Sequence, residues 1–264
     1  MEWWLVYAAI GAAVGFFAGM LGIGGGAIMV PLLVMAFEAQ GLPKTHILHL
    51  AVGTAMATII FTSVASVRAH AARGAIRWDI AWKITPGILL GGLVGSWIAS
   101  FIPTAVFAAI FTVVIYAAAT NLLFDRKPKA SRQPPGWAGM LIFGFLVSAL
   151  SAFTAIGGAF MTVPFMLWCN VPMLQAIGTA AAIGFPIAIS GTIGFVVTGL
   201  RESGLPPHSV GFVFLPALGG IVVASMLVAP LGAATAHRLP TLWLKRIFAV
   251  LFYVMATRML LSFV

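Results

Sequence analysis

Gly22-Ile23-Gly24-Gly25-Gly26 and Gly157-Gly158 interrupt two long apolar runs, and backbone laid bare at such points can bind a ligand directly. Glycine forms helix poorly and tolerates left-handed turns, so each cluster reads as a helix break. A short helix restarting after it, with Pro31 or Pro164 near its start, would present unpaired N–H groups and about half a positive charge. That is a place for an anion. Thr54 and Thr179 on the following apolar runs, and Thr154 just before the second glycine pair, could add hydroxyl donors. Against this stands a structural reading: glycines as GxxxG packing notches, and threonines bonded to their own helices.

Other chemistry is sparse. The five acids, Glu2, Glu38, Asp79, Asp125 and Glu202, all fall at or near the ends of apolar runs. No carboxylate is placed as a proton relay or cation cage inside the membrane. His46 and His49 lie at helical spacing and suit a metal pair or a proton sensor, but no third ligand accompanies them. Ser66 and Ser190-Gly191 lack a histidine deep enough to activate them, and no His-Glu-x-x-His run occurs. Phosphate loops and redox ligand sets are missing too, so the sequence predicts neither an enzyme nor a cofactor nor a bound metal. The lone Cys169 excludes an internal disulfide and reads as apolar filler.

Of 264 residues, 62% are apolar and only 7% charged, against roughly 25% in a soluble domain. Lipid must cover most of such a molecule. The net charge of +9 comes from short basic clusters between apolar runs, the pattern of membrane-face loops rather than of a nucleic-acid-binding surface. Met1-Glu2-Trp3-Trp4 has no basic n-region, so the first run is expected to be a retained helix with interfacial tryptophans.

Apolar stretches run over 3–37, 47–67, 80–101 and 104–124, then over 137–168, 173–199, 210–236 and 241–263, separated by a basic, proline-rich linker. Gly24-Gly25 and Val30-Pro31 reappear as Gly157-Gly158 and Val163-Pro164 at one offset. Gly53-Thr54-Ala55 reappears as Gly178-Thr179-Ala180, with Gly74 against Gly199 in that register. Pro86 matches Pro216, while Tyr116 and Ala119-Thr120 match Tyr253 and Ala256-Thr257. The order of these matches indicates a tandem duplication: a first repeat over 1–124, a cytoplasmic linker over 125–136 and a second repeat over 137–264.

As one straight helix the first run would be about 50 Å long, too long for a hydrocarbon core of roughly 30 Å. A longer helix, a glycine turn and a short returning helix resolve the excess. Each repeat then makes an odd number of crossings, and the halves are inverted. This orientation leaves eleven of the fourteen Lys and Arg residues on the cytoplasmic side, with Lys44, Arg201 and Arg258 outside. Parallel repeats would leave ten, so length rather than charge favours inversion. The predicted fold class is an all-α integral membrane protein of two repeats, each a glycine-broken first block followed by three transmembrane helices.

Gly15, Gly19, Gly22, Gly24, Gly25, Gly26, Val30 and Pro31, followed by Gly53-Thr54, resemble the sulfite exporter TauE/SafE family. Gly144, Gly157, Gly158, Val163, Pro164 and Gly178-Thr179 carry the echo in the second half, so the resemblance spans nearly the whole chain. The second glycine motif is thinner, with Ala155 and Ala159 in place of Gly22 and Gly26. The resemblance implies a secondary transporter of small anions, sulfite and organosulfonates foremost, in the bacterial inner membrane. Alternating access is the expected mechanism, one repeat rocking against the other about the glycine breaks. The substrate-binding set is then Gly24, Gly25, Gly26, Thr54, Thr154, Gly157, Gly158 and Thr179, with Gly22, Pro31 and Pro164 at the breaks. Partners would be the substrate anion and the bilayer, with no nucleic acid; a homo-oligomer is left open. The competing functions are an anion channel, an intramembrane enzyme and an assembly protein.

Overall fold

A computed structural model describes residues 2–21, 25–124, 133–236 and 241–263. The described residues form ten helices: α1 (Glu2–Leu21), α2 (Gly26–Ala39), α3 (Ile47–Ala72), α4 (Trp78–Ser100), α5 (Thr104–Phe124), α6 (Trp137–Ala152), α7 (Ala159–Trp168), α8 (Met173–Gly199), α9 (Leu215–Ala236) and α10 (Thr241–Leu261). A two-stranded antiparallel ribbon, β1 (Ser209–Val210) and β2 (Val213–Phe214), precedes α9. Five helices, α1, α3, α5, α8 and α9, have the length and hydropathy to cross a membrane. The outer surface carries large apolar side chains such as Trp82, Val113 and Leu227, each more than two-thirds exposed. A bilayer satisfies such a surface; water does not.

Both long first blocks are broken where the glycines lie. The helix ends at Leu21 and restarts at Gly26, with Gly25 in the left-handed region at φ 69°. In the second half it ends at Ala152 and restarts at Ala159, with Gly157 at φ 75° and Gly158 at φ 74°. The short helix returns to the face it came from. The Gln40 amide, which ends α2, donates to the Tyr7 hydroxyl near the start of α1. Phe165 of α7 stacks on Phe143 of α6 at 3.7 Å. Pro31 and Pro164 are each the sixth residue of their helix. Each therefore removes the hydrogen bond to the carbonyl four residues back, at Ala27 and Phe160.

Glycines at four-residue spacing lie on one face of a helix and let two helix pairs interlock through their backbones. Gly11, Gly15 and Gly19 of α1 lie against the main chain of Ile221, Ser225 and Ala229 of α9. Gly87, Gly91 and Gly95 of α4 lie in the same way against Leu141, Phe145 and Ala149 of α6. Residue numbers rise together in both pairs, so each pair runs parallel. Two other pairs run antiparallel. Met56 and Gly53 of α3 meet Gly191 and Phe195 of α8. Tyr116 and Thr120 of α5 hydrogen-bond with Thr257 and Tyr253 of α10, respectively.

The interlock predicts an inverted propensity effect. Alanine suits a helix better than glycine by about 1 kcal/mol, yet Gly91→Ala drives a Cβ into the Phe145 carbonyl. We expect Gly91→Ala and Gly15→Ala to lower stability by about 1–3 kcal/mol. Gly219→Ala, whose Cβ would meet only the Trp4 ring at 3.6 Å, should be neutral or stabilising. Thermal unfolding in detergent distinguishes the two outcomes.

Candidate functional site

The two helix breaks meet inside the bundle. Gly26, at the start of α2, lies so close to the Ala155 carbonyl in the α6–α7 turn that any side chain would collide with it. Ala155 itself is held at φ 52°, a conformation costly for a residue with a Cβ. In α2 the first intrahelical bonds run from Ile28 and Met29 to the Gly25 carbonyl. In α7 they run from Met161 and Thr162 to the Gly158 carbonyl. Neither glycine can cap its helix with a side chain, so the N–H groups of Gly26, Ala27, Ala159 and Phe160 precede the helical ladder. Dipoles of this kind attract an anion without a fixed charge.

Between the tips is a cavity of about 10 Å³, room for about one water. Gly25 and Gly26 contribute backbone, Ile156 comes from the opposite tip, and Phe17, Phe248 and Phe252 close the sides. Its lining carries no charged residue. Gly157 presents its carbonyl to α8 at Gly184, and Thr154 donates to its own helix at the Leu150 carbonyl (3.4 Å). Gly22 and Gly24 lie outside the described residues.

Thr54 and Thr179 are fully buried and engaged away from the tips. The Phe214 N–H, one residue before α9, donates to Thr54 Oγ1 at 3.0 Å. The Arg77 N–H, one residue before α4, donates to Thr179 Oγ1 at 2.9 Å. The preceding glycines complete the clamp: Gly53 admits the Phe212 carbonyl and Gly178 the Ala75 carbonyl against the helix. In each Gly-Thr pair, then, the glycine lets an incoming segment lie on the helix and the threonine holds its N–H. This bonding between helices, rather than the expected bond within one helix, is what the two threonines do here.

Ser190 Oγ donates to the Pro186 carbonyl at 2.9 Å. His49 Nε2 bonds the Ala99 carbonyl at 3.0 Å. Serine and histidine are thus committed separately, and no nucleophile–base pair forms between them. No cluster of three or more potential metal ligands occurs among the described residues. Arg246 and Arg258 are exposed, as expected of side chains reaching for headgroups.

A family model for the sulfite exporter TauE/SafE matches residues 7–259. The chain belongs to this family. A "probable membrane transporter protein" of Haemophilus influenzae is 33% identical over 254 residues, 96% of each chain. The "probable membrane transporter protein YdhB" of Bacillus subtilis is 26% identical over 238 residues, 88% of this chain and 89% of its own. No solved structure matches significantly. This TauE/SafE member is a multi-pass membrane transporter rather than an enzyme, working in a lipid bilayer on a small-molecule substrate.

The threonine clamps yield a stability prediction. Thr54→Val and Thr179→Val keep the shape but leave a main-chain N–H unpaired, at a cost of about 1–3 kcal/mol. Thr→Ser at either position should recover most of it. Unfolding midpoints that do not move in the valine variants would refute the clamp.

Proposed function

We propose that this transporter exports sulfite, an organosulfonate or a related small organic or inorganic anion, bound where the two hairpin tips meet. The observation that carries this reading is the pair of left-handed glycine N-caps, at Gly25 and Gly158, on tips that meet at Gly26 and Ala155, with a cavity without fixed charge beside Gly25. Two helix N-termini, approached through residues with little or no side chain, provide N–H groups for an oxyanion. Gly24, Gly25, Gly26, Thr154, Gly157 and Gly158 form the proposed site, with Gly22, Pro31 and Pro164 as its breaks. Thr54 and Thr179 serve it indirectly, by holding the helices around it.

The chain is read as two inverted repeats, 1–124 and 137–264, in a bacterial inner membrane, joined by a cytoplasmic linker over 125–136. The crossed hydrogen bonds of Tyr116 with Thr257 and Thr120 with Tyr253 support inversion, because matched residues exchange partners as across a twofold axis. The antiparallel packing of α3 on α8 supports it as well. A cavity of about 10 Å³, with room for about one water, is too small for the anion, which supports an opening of the bundle such as alternating access provides. The halves exchange a helix, α9 packing with α1 and α4 with α6. The rocking bodies are therefore α1, α2, α3 and α9 against α4, α6, α7 and α8, rather than one sequence half against the other.

Two experiments test these readings. In liposomes loaded with sulfite, counterflow of labelled sulfite should saturate and be competed by sulfoacetate or taurine. Gly25→Ala and Gly158→Ala proteins that remain monodisperse should lose at least tenfold of it. A folded wild-type protein that moves no anion of this panel would end the proposal. For inversion, an impermeant maleimide applied to whole cells should label Arg201→Cys and spare Arg73→Cys, both in a Cys169→Ser background. Equal labelling would favour parallel halves.

A further inference from the structure

His49 is 2% exposed and, among the described residues, the one His, Lys, Arg, Asp or Glu that is buried. It lies in the first turn of α3, at the Glu202 end of the bundle, in a span whose ionisable residues are elsewhere confined to the ends. A carbonyl oxygen can only accept, so the bond from Nε2 to the Ala99 carbonyl (3.0 Å) puts the proton of the neutral ring on Nε2. Nδ1 is then a lone-pair acceptor, and it is buried with no hydrogen-bond partner among the described residues. An unsatisfied buried acceptor costs about 1–3 kcal/mol, and an ionisable group placed so in a membrane protein marks a pathway.

The surroundings form a path. His46, half-buried, is 3.9 Å from the Glu202 carboxylate, which is exposed to solvent. The His46 and His49 rings are 6.0 Å apart, and both lie against Phe212. His49 next meets Phe107 at 5.0 Å, and Phe107 meets Phe153 at 5.7 Å. Phe153 ends α6 at the tip that carries Gly157 and Gly158. Around His49, α4 offers the Ala99 carbonyl, the turn after α4 offers the Ile102 main chain, α5 offers Phe107 and the ribbon offers Phe212. None of these titrates. The titratable groups on its side are His46, from its own helix end, and Glu202 through His46.

We propose that His49 is the proton-coupling residue of this transporter. A solvent proton reaches the Glu202–His46 pair at the surface. Opening of the bundle then admits a water between the two rings, 6.0 Å apart at rest. The water relays the proton from the His46 imidazolium to His49 Nδ1, leaving His46 neutral. His49 becomes the imidazolium and returns the proton once the bundle has rocked. One positive charge thereby accompanies one monovalent anion, and no other bond changes. The inference rests on the transport reading above.

The test uses full-length protein in liposomes containing pyranine, with methanesulfonate as the probe because it stays ionised at every pH used. Wild-type protein should acidify the lumen as the anion enters. His49→Gln keeps an amide donor for the Ala99 carbonyl, and should lose at least tenfold of the acidification while labelled methanesulfonate counterflow stays within threefold of wild type. Unchanged acidification in H49Q overturns the proposal, as does an equal loss of both activities, which would mark a packing role. Should H49Q fail to fold, His46→Gln and Glu202→Gln decide the matter from the surface. Acidification slowed at least threefold with intact counterflow supports the path, and no slowing in either variant overturns it. A wild-type protein that moves no methanesulfonate by counterflow defeats the transport of this probe, and the coupling proposal with it.

Discussion

A peptide group inside a bilayer has no water to bond, so every N–H and C=O at membrane depth must find a partner within the protein. This constraint governs the architecture because the chain breaks two of its helices deep in the bundle. Broken helices can be afforded only if other protein surrounds them, and the two breaks are placed against each other, Gly26 upon Ala155. The segments that enter α4 and α9 face the same demand. They meet it by laying main chain on Gly178 and Gly53 and by donating to Thr179 and Thr54. Backbone-to-backbone packing along α1–α9 and α4–α6 then brings the surrounding helices close enough to exclude lipid from the breaks. The glycines lining those seams do not touch the proposed site, yet without them the site would have no wall.

Much of this was legible in the residues. The block limits at 47, 104, 124, 137, 168, 173 and 199 coincide with helix ends, because proline, glycine and charge punctuate an apolar chain strongly. The broken first block followed from a length that no bilayer accommodates. The last stretch of the second half was less legible. A run beginning at residue 210 proves to be a ribbon followed by a helix from Leu215, since short apolar strands and buried helix starts look alike by composition. The sequence pairs Gly74 with Gly199; in the structure Gly211, at φ 55°, makes a left-handed turn like that of Gly74, at φ 62°. Each of these two glycines precedes the residue whose carbonyl closes over a Gly-Thr pair. The partners of Thr54 and Thr179 lie more than a hundred residues away, and no local spacing could name them.

The halves are also unequal where it matters. The first tip has glycine at both Gly25 and Gly26, whereas the second places Ala155 in a left-handed conformation and starts its helix at Ala159. Strain of this sort persists only where surrounding contacts over-determine it, and here the contact is Gly26 of the other tip. The side chain missing from one tip is thus what lets the other tip's carbonyl approach. Two identical tips would lack this fit, so the difference at 155 and 159 reads as complementarity.

That closeness also shapes how the bundle can open. Along α1–α9 and α4–α6 the helices are keyed by glycine against carbonyl at three successive turns, and sliding would drive side chains into main chain. Apart from Gly26 upon the Ala155 carbonyl, the contacts between the two proposed bodies are of another kind. Met56 rests its flexible thioether on Gly191, and methionine repacks at small cost. Outside both bodies, Tyr116 and Tyr253 join α5 to α10 through hydroxyls at partly exposed positions, where a broken hydrogen bond can be replaced by water or a headgroup. Rigid seams within each body and yielding contacts between them make motion about the α3–α8 crossing the least costly opening. Because Gly26 belongs to one body and Ala155 to the other, that motion parts the tips first.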